Sequence, residues 1–286
     1  MSGWLLRTWG FEERAAETDH TPVPFDPTGK RQWFVQKVGE DCFTFIVFEK
    51  QTFLMGSPAA PAAEAGRAKD ENQHTAVITP FAICDREVTV EQWQRWQQAT
   101  KSSAGFDREV SPGPRHPVNN IDWFTANEYG RWLTGQAATA GPLPLEFRLP
   151  TEAEWEYACR SGMRTAYAFG SDRTLLSHYG WFLENAGRTT HPGGELRPNL
   201  RGIFDMHGNV MEWCSDGYDN HAEDGAQNAA AATPSDARLL RGGNWGRDSN
   251  PCRCADRSTF DPRHSYPTIG LRLVCTWSPA VAAPSE

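Results

Sequence analysis

The stretch RGGNWGRDSNPCRC, Arg241 to Cys254, closes on two cysteines one residue apart, after two glycines and a tryptophan. Thiols in such a place have three chemistries open to them. As thiolates they attack or are oxidised, as soft ligands they hold a metal, and as buried thiols they pack like small apolar groups. The other cysteines, Cys42, Cys84, Cys159, Cys214 and Cys275, are scattered, and the total of seven is odd. A chain of 286 residues can bury a sizeable core without staples, so this is not the pattern of a secreted disulfide framework. The eight histidines are equally dispersed, with no HxxxH pair, and the chain has no CxxC, so no zinc signature stands out.

The elements that must position these groups are legible from their ends. Thr89 opens TVEQWQRWQQA with Gln92 three residues on, a capping box, and Val90, Trp93 and Trp96 recur at helical spacing. Asp122 can cap WFTANEYGRWL, whose Trp123, Ala126, Gly130 and Leu133 form one face. Thr151 and Glu154 make a second capping box in LPTEAEWEYACRSG, with Trp155, Ala158 and Cys159 inward and Gly162 just past the end. These aromatic stripes read as core. Upstream, CFTFIVFEKQTFLMGS (42–57) reads as strands that stop at Gly56, and PAAPAAEAGRAKDENQ reads as a loop. Beyond residue 163 the helical period vanishes and turns such as HPGG and HGN dominate, so short strands and long loops are expected.

Composition narrows the function. Twenty-eight Lys and Arg against 36 Asp and Glu give a net charge of −8, and no basic run reaches five residues, which disfavours nucleic-acid binding. No apolar stretch approaches the roughly 18 residues of a membrane helix. The N-terminal WLLRTWG carries too short an apolar run for an export signal, so a cytoplasmic location is expected. Three prolines in TPVPFDP make residues 1–32 a linker or the stump of an upstream domain, with one domain over 33–277 and a flexible tail over 278–286. The alanine-rich 222–237 reads as a flexible excursion.

Four segments in order, FLMGSP (53–58), FRLPTEAEWEYACRSG (147–162), GIFDMHGNVMEWCSD (202–216) and RLLRGGNW…CRCADR…TIGLRLV (238–274), resemble the sulfatase-modifying-factor domain of formylglycine-generating enzymes. The resemblance implies a single irregular α+β domain of the C-type-lectin-like kind. Active members oxidise a substrate cysteine with copper held by two cysteines five residues apart, just after the GG-aromatic element. Here Gly246 to Pro251 contains no cysteine. A soft monovalent copper ion needs thiolates that serine and arginine cannot replace. Cys252 and Cys254 lie two apart, which in a strand puts both on one face, and they are the substitute pair under the alternative of an oxidase with rearranged ligands. Asn244, Met211 and Thr268 also stand where the family's enzymes carry serine, tryptophan and asparagine.

The resemblance assigns further residues. It pairs Cys254 with Cys159 as scaffold cysteines. It places a structural calcium on Asp205, Glu212 and the carbonyls of Gly208 and Val210, a hard-oxygen set, with Asn185 in a second site; the competing reading has the two carboxylates cap turns or meet Arg241 or Arg272. The expected function is a non-catalytic module that binds a protein or small ligand through Trp245, Arg247, Asp248, Asn250 and His264. A non-haem iron enzyme is a third reading, lacking a histidine cluster to support it. The segment WLLRTWGFEERAAE is similar to the join that follows kinase or other signalling modules in multidomain bacterial proteins.

Overall fold

Phe43, Phe45 and Val47 point to one side of a strand while Ile46 and Phe48 point to the other, and both sides are buried. That period of two organises the molecule around one sheet covered on each face. The structure, a computed structural model, describes residues 17, 21–26, 31–59, 64–137, 144–218 and 237–277. The expected tail at 278–286 lies outside the described residues, as does 222–236 of the expected excursion.

The central sheet comprises β1 (Trp33–Val38), β2 (Asp41–Phe48), β5 (Phe81–Cys84), β11 (Val274–Trp277) and β6 (Leu145–Arg148), in the order β1-β2-β5-β11-β6 with every neighbour antiparallel. The strand nearest the C-terminus therefore sits between one from the first half of the chain and one from just past its middle. A hairpin of β3 (Gln51–Met55) and β4 (His74–Ile78) stands beside it. A second sheet has the order β10-β7-β8-β9, formed by Ile269–Gly270, Met211–Gly217, Arg238–Arg241 and Ser258–Phe260; only the β10–β7 pair is parallel.

Among the described residues, three long helices cover the faces of the sheet. In α1 (Val90–Thr100), Val90, Trp93 and Trp96 are buried, and both arms of the Thr89–Gln92 capping box form. In α2 (Trp123–Ala137), Ala126, Tyr129, Gly130 and Leu133 are buried, and Asp122 accepts from the Thr125 backbone N–H at 2.9 Å. Both pack on the sheet face that carries Phe43 and Phe45. On the opposite face lies α3 (Glu152–Arg160), its Trp155, Ala158 and Cys159 buried against Ile46, Phe81 and Val274. The Thr151–Glu154 box forms, Ser161 takes the left-handed conformation with φ 49°, and Gly162 follows it.

One boundary differs from the sequence reading. Val23 bridges Val35 in antiparallel fashion, and the Phe25 ring lies 4.8 Å from that of Phe34 and 4.4 Å from that of Trp277. Proline blocks a ladder here but not a single bridge and an apolar anchor, so 21–26 belongs to the folded unit rather than to a linker.

Candidate functional site

The acidic row of α3 fixes the scaffold beneath the site. Glu154 receives Arg148 at 2.7 and 2.8 Å, Glu152 receives Arg257 at 2.7 and 3.0 Å, and Glu156 joins Arg160 at 2.8 Å and Arg241 of β8. Arg253 closes on Glu71 at 2.6 and 2.7 Å. Arginine suits such positions because its planar fork meets a carboxylate with two bonds. These pairs brace both ends of the segment 242–254.

That segment does not gather its two cysteines. Cys252 packs with Ala166, Tyr167, Leu176 and Phe182, its Sγ 3.6 Å from the Asp248 carbonyl, and burial pushes its thiol far up. The approach is close enough that a Cβ on Gly243 would meet Cys252 Sγ at 2.6 Å. Cys254 turns to a different cluster, where its Sγ lies 3.4 Å from Cys159 Sγ. The substitute pair is corrected accordingly: Cys252 closes a 3-10 turn, Asn250–Cys252, so no strand runs through both cysteines to put their thiols on one face.

Around Cys159 the surroundings are dry. Cys159, His207 and Cys254 are all buried, and burial together with the bond to Cys254 raises the Cys159 thiol well above its ordinary value. His207 stands edge-on to the stacked rings of Tyr167 and Phe169, and burial pushes it down to about 4, so it is neutral at physiological pH.

Two of the expected calcium ligands, Glu212 and Asn185, are held by other partners. Glu212 is engaged by Arg272, whose Nη2 is 2.7 Å from Oε1 and whose Nε is 3.0 Å from each oxygen, and it accepts from Trp155 Nε1 at 2.6 Å. Asn185 holds its own loop, accepting from Phe182 N at 2.8 Å and donating to Gly180 O at 3.0 Å. Gly208 presses on Trp181, where a Cβ would stand 2.2 Å from the carbonyl oxygen. Val210 donates its N–H to Glu87 at 3.3 Å. Asp205 accepts from Gly194 N at 2.8 Å through Oδ2, while its buried Oδ1 has no partner. With Glu212 engaged by arginine, Asp205 Oδ1 is the one carboxylate oxygen of the expected set left without a partner, which weakens the set as a charged cage for calcium.

Sequence reading missed Glu87, buried beside this turn, because its partners are more than 120 residues away. It takes Asn209 Nδ2 at 3.0 Å as well as Val210 N, and burial holds its carboxyl well above the usual range, with Asp205 adding to the effect. Asn209 is a hub. Its φ is 64°, its Oδ1 accepts from His191 N at 3.0 Å, and its carbonyl accepts from Trp245 N at 2.9 Å.

Through that last bond the turn positions the surface loop. Trp245 donates Nε1 to Pro267 O at 3.4 Å, Asn244 Oδ1 accepts from Gly246 N at 2.8 Å, and Thr268 O accepts from Met211 N at 2.8 Å. Met211, Asn244, Trp245 and Thr268 thus form one neighbourhood, and Asn244 Nδ2 is buried without a partner. Arg247 and Asp248 are exposed beside it, and Leu183, 48 % exposed, bonds to the Arg247 carbonyl at 2.9 Å. His264 and Tyr266 project from the neighbouring loop and flank the Phe260 ring, with His264 Nδ1 3.7 Å from Asp261. Asn250, by contrast, turns toward Gly66, away from this group.

Comparison with known proteins agrees with the fold. A family model for the sulfatase-modifying factor enzyme 1-like domain matches residues 34–277. The chain is 34% identical over 185 residues to a formylglycine-generating enzyme of Streptomyces coelicolor, covering 59% of this chain and 55% of that one. It is 27% identical over 262 residues to the serine/threonine-protein kinase pkn1 of Chlamydia caviae, covering 84% of this chain and 40% of the kinase. It therefore spans about half the length of these curated relatives or less. Among solved structures, PvdO from Pseudomonas aeruginosa superposes with a TM-score of 0.75 at 27% identity, over 86% of this chain and 99% of that one.

Proposed function

We propose that this chain, which belongs to the sulfatase-modifying factor enzyme 1-like domain family, is a non-catalytic module that binds a protein or small ligand. One observation carries the reading: where copper would need two converging thiolates, Gly246 to Pro251 offers none, Cys252 is buried in one cluster and Cys254 in another. The residues present do not fit the copper centre, so no oxidation step is derived for them. The same holds for iron, since among the described residues no cluster joins two histidines with a carboxylate.

What remains at the family's reactive face is a recognition surface. The Trp245 and Tyr266 rings, the exposed Leu183 and the Arg247 guanidinium supply apolar area and charge, and loops on a braced scaffold suit that use. The kinase relative supports a place beside signalling modules in a longer protein, and the acidic net charge supports a partner other than nucleic acid.

The experiment has two arms. A peptide bearing Cys-x-Pro-x-Arg, incubated with the protein, copper(I), oxygen and reductant, should keep its mass; an aldehyde product abolished by Cys252→Ser would overturn the proposal in favour of the oxidase. In the second arm, a Trp245→Ala, Tyr266→Ala variant should lose crosslinks to partners of the wild type while melting at the same temperature.

A further inference from the structure

We propose that Cys159, His207 and Cys254 form a site for a thiophilic closed-shell cation, zinc(II) or copper(I), inside the domain and apart from the surface loop. Their ligand atoms all lie within 4.8 Å of one another, with the sulfurs 3.4 Å apart and His207 Nε2 4.0 Å from Cys159 Sγ. They arrive from three segments: α3, the turn before β7, and the chain after the 3-10 turn. Among the described residues no other cluster brings three such ligands together.

The imidazole is already in the ligating tautomer. Nδ1 lies 2.8 Å from the Cys252 carbonyl, which can only accept, so the proton is on Nδ1 and Nε2 carries the lone pair, 4.0 Å from Cys159 Sγ. A backbone carbonyl on the remote nitrogen is the arrangement that orients histidine toward a metal. At present Nε2 accepts from Ala168 N–H at 3.1 Å, and that bond yields on binding.

Small movements complete the geometry. Two metal–sulfur bonds of about 2.3 Å at a tetrahedral angle hold sulfurs about 3.8 Å apart and a nitrogen about 3.5 Å from each, so the thiols open by about 0.4 Å while the ring closes by about half an ångström on Cys159 and by up to about 1.3 Å on Cys254. Binding releases both thiol protons to solvent: a divalent ion with two thiolates and a neutral imidazole carries no net charge, which suits a dry interior. Thiolates select zinc and monovalent copper over harder ions. Copper(I) is content with three ligands; zinc needs a fourth, and the Met206 carbonyl, 3.8 Å from Cys159 Sγ, is the available oxygen.

The full chain is reduced, loaded anaerobically with zinc(II) or copper(I), and desalted. About one equivalent of one ion should remain, and X-ray absorption should show two sulfur neighbours at about 2.3 Å with a nitrogen; an added oxygen marks zinc and a three-ligand shell marks copper. Cys254→Ser and His207→Gln should each cut retention at least tenfold, and Cys42→Ser should not change it. Reduced wild type that keeps neither ion, or a shell of nitrogen and oxygen alone, overturns the site. The absorption reading is made on the wild type, so a variant that fails to fold does not shield the proposal, and a Cys159–Cys254 disulfide in isolated protein is removed by the reduction step. Peptide oxidation is not measured, so the outcome is independent of the binding role.

Discussion

Arg272 closes on both oxygens of Glu212 across 60 residues of sequence, and its remaining donors reach Cys84 O at 3.1 Å and Phe204 O at 2.9 Å, so one guanidinium ties β7 to the end of β5 and the turn before β7. Removing one partner strands the other's charge in the core. Glu212→Gln is expected to cost about 3–5 kcal/mol, and Glu212→Met with Arg272→Met substantially less. Urea unfolding of the three proteins checks it; equal losses would show that the pair is not the source.

Asp205 gives a pH signature. Burial pushes its carboxyl up to about 6, against Arg86 and Arg272 that pull it down and Glu212 that pushes with burial. The unfolded value is about 3.9, so between pH 4 and 6 the folded state binds more protons than the unfolded. Stability therefore falls as pH rises through that window. Asp216 and Asp256, also raised to about 6 by burial, act in the same direction. Asp205→Asn should flatten part of the slope and keep the bond from Gly194; parallel curves for variant and wild type across pH 4–7 would refute the assignment.

Calcium should leave stability unchanged. With Glu212 held by Arg272, melting in millimolar calcium and in chelator is expected to coincide. A calcium-dependent rise that disappears in Glu212→Gln would restore the ligand set read from the sequence.

Two glycines should respond with opposite signs. A methyl on Gly208 would collide with the Trp181 carbonyl at 2.2 Å, a backbone atom with nowhere to go. Gly208→Ala should destabilise by more than about 4 kcal/mol. Gly135 is exposed in α2, and a methyl there would meet nothing within 4 Å, so Gly135→Ala should stabilise by up to about 1 kcal/mol. Chemical denaturation separates the two.

The helices were legible because their signals are local: Thr89 with Gln92 and Thr151 with Glu154 lie within one turn of the bonds they make. The contact of Cys159 with Cys254 was legible only through the family pattern and the inward face of α3. Glu87 and His207 were not. Each acts through residues far away in sequence, at Val210 for one and at Cys159, Ala168 and Cys252 for the other, and a lone Glu or His carries no periodicity. The Cys252–Cys254 spacing misled because a same-face argument holds for a strand, and the chain there makes a turn. Asp205 and Glu212 left two readings open, a calcium pair or a meeting with Arg241 or Arg272, because spacing shows where carboxylates stand but not which arginine, here Arg272, folds back to reach one of them.

The place of β11 between β5 and β6 has a consequence for biosynthesis. The seam is zipped last: β5 and β6 are both made by residue 148, yet the strand that joins them ends at Trp277. At about 5–20 residues per second, the ribosome leaves these two edges unpaired for on the order of ten seconds. Exposed edges recruit other chains, so the nascent polypeptide stays vulnerable to aggregation along this seam until β11 emerges, and a holdase present during that interval should raise its yield.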